Sequence, residues 1–187
     1  MKHSEVRNTI VRTASSLFYE KGYNLTGINE IIAEAGIAKA TLYNHFSSKE
    51  DICVAYIQYK NQVFLHEIGV YCYAKPKGDK QLLAIFDFLL QFFRSDGFYG
   101  CWCLNTVSEI PSDNKKILVE IQKEKGEFMR FIEKLVATNR SDVQQKDVVS
   151  LSKQLYLLYE GAVAESHLHK KDWPIRMARD MAMQLLK

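Results

Sequence analysis

The chain has 187 residues, 47% of them hydrophobic and 25% charged, with a formal net charge of +3. Its length allows one large domain, or a small domain joined to a medium one. The mild charge excludes nucleic-acid binding by bulk basicity: residues 1–50 set Lys2, Arg7, Arg12, Lys21, Lys39 and Lys49 against Glu5, Glu20, Glu30, Glu34 and Glu50. Only a sided arrangement in three dimensions can supply a phosphate-facing field. The opening MKHSEVRNTIVR lacks the apolar core and cleavage site of a secretory signal. The most apolar run, Leu82 to Phe93, is interrupted by Asp87 and Gln91 and is too short to cross a bilayer. A cytoplasmic protein with no membrane partner is expected, with Cys53, Cys72, Cys101 and Cys103 reduced.

A first helix is expected over Ser4–Lys21, with Ser4 as N-cap, Ile10, Ala14, Leu17 and Phe18 as its apolar stripe, and Gly22 as its stop. Thr26 is placed to cap the next helix. There Ile28, Ile31, Ile32 and Ala35 recur at i, i+3, i+4 and i+7. Gly36 ends that helix because glycine accepts left-handed backbone without steric cost. A short third helix from near Ala38 turns Leu42 and Phe46 inward and leaves Lys39, Thr41, Tyr43, Asn44 and His45 facing outward. Two short helices about a tight glycine-containing turn form a helix-turn-helix unit. The outward set of small hydrogen-bonding groups, one cation and one phenol ring suits a DNA major groove.

Ser48 with Asp51 three residues later is a helix-start signal. The fourth helix is expected to run through Cys53, Ile57 and Phe64 to about Tyr71, with no flexible linker behind the motif. A loop with Pro76 and Gly78 follows, then a helix over Lys80–Arg94 burying Leu82, Leu83, Ile85, Phe86, Leu89, Leu90 and Phe93. After the break at Ser95–Gly100 a short helix spans Trp102–Glu109. A long one over Asp113–Thr138 carries Ile117, Ile121, Phe128, Ile132 and Leu135 at helical spacing. The last two cover Lys146–His167 and Pro174 to the C-terminus, proline being favourable in a first turn. No strand is expected. The fold class is all-α: residues 1–48 form a three-helix domain with the helix-turn-helix, and residues 49–187 a second helical domain.

The string LFYEKGYNLTGI, the AG turn and TLYNHFSSKED together resemble the DNA-binding domain of the tetracycline-repressor (TetR) family of bacterial transcription regulators. Leu17, Phe18, Gly22, Thr26, Ile31, Ala35, Gly36, Thr41, Leu42, Tyr43, His45, Phe46 and Lys49 carry the resemblance, which covers about the first quarter of the chain. It implies a homodimeric DNA-binding regulator, usually a repressor, released from a palindromic double-stranded operator by a small-molecule effector. It implies phosphate contact by the Thr26 hydroxyl, and it sits well with backbone contact by Lys49. On the third helix, Thr41 and Asn44 are expected on bases or phosphates, Tyr43 and His45 on phosphates and sugars, and Lys39 on a phosphate or a guanine edge. Two positions depart from the family. Ala38 stands where serine or threonine usually caps the recognition helix, a difference of about 1 kcal/mol. Ala40 stands where glycine is frequent, adding a methyl close to the DNA.

The second domain is rich in rings. The resemblance implies a ligand pocket there, and Phe86, Trp102, Phe128 and Tyr156 are the residues expected to line it. Small residues on a late helix, Gly161, Ala162 and Ala164, permit close helix approach. With Leu151, Leu155, Leu158, Ile175, Met181 and Leu185 they nominate a homodimer interface. Cys101-Trp102-Cys103 is the most unusual local string: an internal disulfide there would be strained, and packing as small hydrophobes competes with thiol sensing of oxidants or electrophiles. Those cysteines with His167 and His169 make a poor zinc set, so no metal or cofactor is expected. No phosphate loop, nucleophile elbow or H-E-x-x-H string is present, and Glu120, Glu124 and Glu127 fit helix-surface pairing with lysines. The chain is therefore not expected to be an enzyme. The competing reading is an all-α small-molecule-binding or scaffolding protein that does not read DNA.

Overall fold

The computed structural model describes residues 3–140 and 144–187. Among the described residues there are nine helices and no strand: α1 (His3–Lys21), α2 (Ile28–Glu34), α3 (Lys39–His45), α4 (Lys49–Tyr73), α5 (Asp79–Arg94), α6 (Trp102–Glu109), α7 (Lys115–Asn139), α8 (Gln145–His169) and α9 (Trp173–Leu185). No helix among them is long and apolar enough to cross a membrane. Packing divides the chain into two compact units. The first holds residues up to Val63 with Trp102–Glu124, and the second Phe64–Cys101 with Lys125–Lys187. This division differs from a cut after residue 48, because the first 15 residues of α4, all of α6 and the start of α7 pack with the motif helices.

In the first unit Ile10, Ala14, Phe18, Ile31, Leu42 and Phe46 from α1–α3 and its flank are buried with Ile52, Tyr56 and Ile57 of α4 and Ile117 and Ile121 of α7. The Phe18 ring centroid lies 5.5 Å from that of Tyr56 and 5.6 Å from that of Tyr23. Two local signals act as the sequence requires. The Ser48 hydroxyl accepts the Asp51 N–H at 3.1 Å and donates to the Asp51 carboxylate at 2.9 Å, closing the start of α4. Gly36 takes φ +64 and turns the chain from α2 to α3.

Two expected N-caps fail, and Leu90 and Phe93, expected to be buried on the fifth helix, are half-buried. Ser4 lies inside α1, not ahead of it. Thr26 does not cap α2: Gly27 is the N-cap residue and makes no side-chain cap. The Thr26 hydroxyl turns inward and donates to the Gly22 carbonyl at 2.8 Å and to the Leu17 carbonyl at 3.2 Å.

The second unit is built on α5, α8 and α9, which pack on one another. Its interior holds Leu82, Ile85, Phe86 and Leu89 of α5, Phe128, Ile132 and Leu135 of α7, Leu155 and Tyr159 of α8, and Ile175, Ala178 and Ala182 of α9. Asp87 accepts from Arg179 at 2.7 Å, and Asp172 from Arg94 at 2.9 Å, fastening α9 to α5 at its side and its start. Gly78, at φ +93, donates its N–H to Asn139 at 2.7 Å, and Asn139 donates to Gln81 at 2.9 Å. The α4–α5 loop is thereby closed against the end of α7. Pro174 sits in the first turn of α9, where its missing N–H leaves no bond unmade.

Candidate nucleic-acid interface and effector site

The outward face of α3 is assembled as its spacing implies. Leu42 and Phe46 are buried, while Lys39, Ala40 and Asn44 are exposed, Tyr43 keeps 44% of its surface, and Thr41 and His45 are half-buried. Ala38 is the N-cap residue and supplies no side-chain acceptor, as alanine must. Lys49 lies at the start of α4 with its ammonium 4.3 Å from the Tyr23 ring centroid. Burial holds this lysine below its ordinary pKa, and burial likewise pushes the neighbouring Tyr23 phenol up to about 12. Arg7 lies over the Phe46 ring at 5.0 Å. Thr26 does not join this surface. It is fully buried and its hydroxyl is engaged within the unit, so the expected phosphate contact by that hydroxyl is corrected.

Sequence reasoning missed what steadies the turn behind this face. Glu109, the last residue of α6, accepts the Asn24 N–H on its carboxylate at 2.7 Å, and its carbonyl accepts the Asn24 side-chain amide at 2.8 Å. Gly22 was legible only as a helix stop. It takes φ +93, and a Cβ there would fall 2.5 Å from the Glu109 carboxylate. The start of α4 is held in the same unit by Asn114, which donates to Glu50 at 2.6 Å, and by a Lys116–Asp51 ion pair. Lys116, then the Ser48 hydroxyl, hold the Asp51 carboxyl below its ordinary value. Glu124 was expected on a helix surface, yet it is 4% exposed. It accepts from the buried Asn61 amide and from Lys123, because α4 lies against that side of α7 within the unit.

A family model described as "Bacterial regulatory proteins, tetR family" matches residues 10–56, the stretch that forms this face. The matched stretch is a domain of the TetR family of transcriptional regulators. A helix-turn-helix-type transcriptional regulator of Bacillus subtilis is 38% identical over 63 residues, 33% of this chain and 33% of that protein. This match therefore spans about a third of that curated relative's length. A helix-turn-helix-type regulator in the lacX 3′ region of Lactococcus lactis is 27% identical over 89% of this chain and 80% of that protein. The crystal structure of a TetR-family transcriptional regulator from Streptomyces coelicolor aligns with 29% identity and a TM-score of 0.85, over 98% of this chain and 95% of that one. The TetR fold thus extends through the helices beyond the matched domain.

In the second unit the rings form a cluster. Phe128 lies 4.9 Å from Tyr159, 5.9 Å from Tyr156 and 5.0 Å from Phe64, and Phe86 lies 6.3 Å from Tyr159. The structure so brings Phe86, Phe128 and Tyr156 together, but not Trp102. That residue belongs to the first unit, 5.4 Å from the Lys60 ammonium. A cavity of about 420 Å³ opens in the second unit between α4 and α5, lined by His66, Glu67, Val70, Tyr71, Phe88, Gln91, Phe92 and Ser95. None of the four nominated residues lines it. Phe86 and Phe128 are buried at 0% and 3% exposure because they fill the core behind it.

The nominated interface residues separate in the same way. Leu155, Ala162 and Ile175 are buried inside the protomer, where α8 meets α5 and α9, and cannot face a second copy. Leu158, Gly161, Met181 and Leu185 remain accessible, and Leu151 is half-buried. Leu157, Leu168 and Met177 were missed, although they are exposed at 68%, 70% and 53%. A groove of about 500 Å³ runs among Gln154, Leu157, Leu158, Met181, Gln184 and Leu185. Among the described residues no group of three or more His, Cys, Asp and Glu side chains could hold a metal ion, and none of the four cysteines is in a disulfide.

Proposed function

We propose that this chain is a homodimeric, sequence-specific DNA-binding regulator of transcription, acting on a palindromic operator from which a small-molecule effector releases it. The carrying observation is the outward face of α3, where Lys39, Thr41, Tyr43, Asn44 and His45 project from a helix fixed by buried Leu42 and Phe46. Such a helix enters a major groove with its hydrogen-bonding side chains at base edges, and its cations and phenol at phosphates. Residues 1–48 carry this reading, with Lys49 against the backbone, and residues 49–187 bind the effector and the second copy.

The second copy docks on the exposed stripe of Leu157, Gly161, Leu168, Met177, Met181 and Leu185, beside half-buried Leu158. Gly161 supports close approach, since a Cβ there would meet nothing within 4 Å. Contiguous apolar side chains left in water mark an interface. The effector is mostly apolar and enters the cavity beside Tyr71, Phe88 and Phe92, with His66, Glu67 and Gln91 orienting it. Phe88 lies 6.1 Å from Phe64, which touches Phe128, so an occupant would press on the ring cluster that also holds Tyr156. A dimer reads two half-sites about one helical turn apart, so a small change in recognition-helix spacing ends simultaneous contact.

A mobility shift of the protein on DNA upstream of its own gene, across a salt series, tests this function. Binding with log affinity falling linearly in log salt, and confined to an inverted repeat, is the expected result. Absence of any shift at low salt by folded protein returns the chain to the scaffolding alternative.

A further inference from the structure

Among the four cysteines Cys101 is the most exposed. It keeps 8% of its surface, against 0% for Cys53 and Cys72 and 2% for Cys103. Burial pushes the Cys53 and Cys72 thiols up to about 12, which leaves them protonated and inert at neutral pH. Cys101 instead receives the Lys125 ammonium on its sulfur at 3.1 Å. Lys125 is held there from the other side by Glu160, whose carboxylate lies 2.5 Å from the same nitrogen. Three elements of the second unit therefore converge: the residue before α6, the middle of α7 and the middle of α8. Gly100 fixes the approach. It takes φ +82, and a Cβ there would fall 2.9 Å from the His167 ring, so the backbone carrying Cys101 runs tight against α8.

We propose that Cys101 is a modification site: a thiolate paired with Lys125 that hydroperoxides oxidise to the sulfenic level. An ammonium at hydrogen-bond distance stabilises the thiolate, which is the nucleophile. The thiolate attacks one peroxide oxygen; an S–O bond forms as the O–O bond breaks. Sulfur loses two electrons and the peroxide gains them. The departing hydroxide, or alkoxide from an organic peroxide, takes a proton from Lys125 and leaves as water or alcohol. The sulfenic acid then returns its proton to the Lys125 amine, which restores the ammonium beside a sulfenate. Glu160 keeps the cation aimed at sulfur throughout.

Full-length reduced protein treated with hydrogen peroxide and dimedone, then digested and read by mass spectrometry, tests this without DNA or effector. The expected result is a dimedone adduct on Cys101 while Cys53, Cys72 and Cys103 stay unmodified. Lys125→Met should slow adduct formation roughly tenfold or more, since a cation this close favours the charged form by that order. Lys125→Arg keeps the charge and should keep the rate, which separates loss of the cation from loss of the fold. Three results overturn the proposal: no adduct on Cys101, equal labelling of all four thiols, or Lys125→Met reacting as fast as wild type.

Discussion

Two of the helical faces left in water are opposite in character. The outward side of α3 is polar, with Lys39 and Asn44 exposed and a single large ring, Tyr43, at 44%. The outward side of α8 and α9 is apolar, with Leu157 at 68%, Leu168 at 70% and Met177 at 53%. Both helix sets turn their best-packed residues inward, Leu42 and Phe46 in one case, Leu155 and Ile175 in the other. What remains outside therefore reports the environment each face is built for. Hydrogen-bonding groups and a cation fit a charged, grooved polymer; branched and thioether side chains fit a surface of their own kind.

The largest effect is expected from breaking the apolar face. Leu157→Glu or Met181→Glu places a charge where a second copy would desolvate it, a penalty of several kcal/mol. Both positions are exposed in the protomer, so folding should survive. Sedimentation at micromolar concentration should show the wild-type dimer replaced by monomer, with operator binding lost alongside. An unchanged dimer would move the interface elsewhere.

A smaller effect is expected on the polar face. Asn44→Ala or Thr41→Ala should reduce discrimination between operator and scrambled DNA by about 1–3 kcal/mol, whereas Tyr43→Ala should weaken both alike. Competition binding with the two DNAs reads the difference. Thr26→Val sharpens the same contrast from behind. The buried hydroxyl donates to Gly22 and Leu17, so its loss should lower stability by about 1 kcal/mol in urea unfolding and leave the salt slope of DNA binding unchanged. A reduced slope would return Thr26 to the phosphate contact.

The smallest effect concerns pH. The folded Asp51 carboxyl lies below its ordinary value of 3.8 because of Lys116 and Ser48. Its stabilising contribution is thus full above that value and is lost as pH falls through the folded one. Lys116→Met should flatten the acid limb of the stability profile, and an unaltered limb would show that the pair contributes nothing.

Much of this was legible in the chain itself, for reasons specific to each element. The Ile28–Ile31–Ile32–Ala35 spacing, Gly36 and the Ser48–Asp51 pair are local signals, and each acts within a few residues of its position. For that reason the expected helix boundaries fall within two residues of those observed. Thr26 shows where locality ends: a threonine ahead of a helix has two uses, and only the position of the α1 carbonyls selected the inward one. Trp102, Phe86 and Phe128 looked alike as rings. The structure buries two in a core and places the third in the other unit beside Lys60.

By itself the sequence determined the helices of the described residues, the helix-turn-helix and its outward residues, because helical periodicity and turn chemistry are properties of neighbours along the chain. Tertiary structure alone decided which face of α8 and α9 stays in water, since Leu155 and Leu157 differ only in what packs over them. It also decided that Glu109 grips the turn at Asn24 and that Lys125 meets Cys101, pairs separated by 85 and 24 residues. No spacing rule encodes such pairs. They exist because packed helices bring distant side chains within hydrogen-bond reach, and that proximity sets the Lys125 ammonium on the Cys101 sulfur.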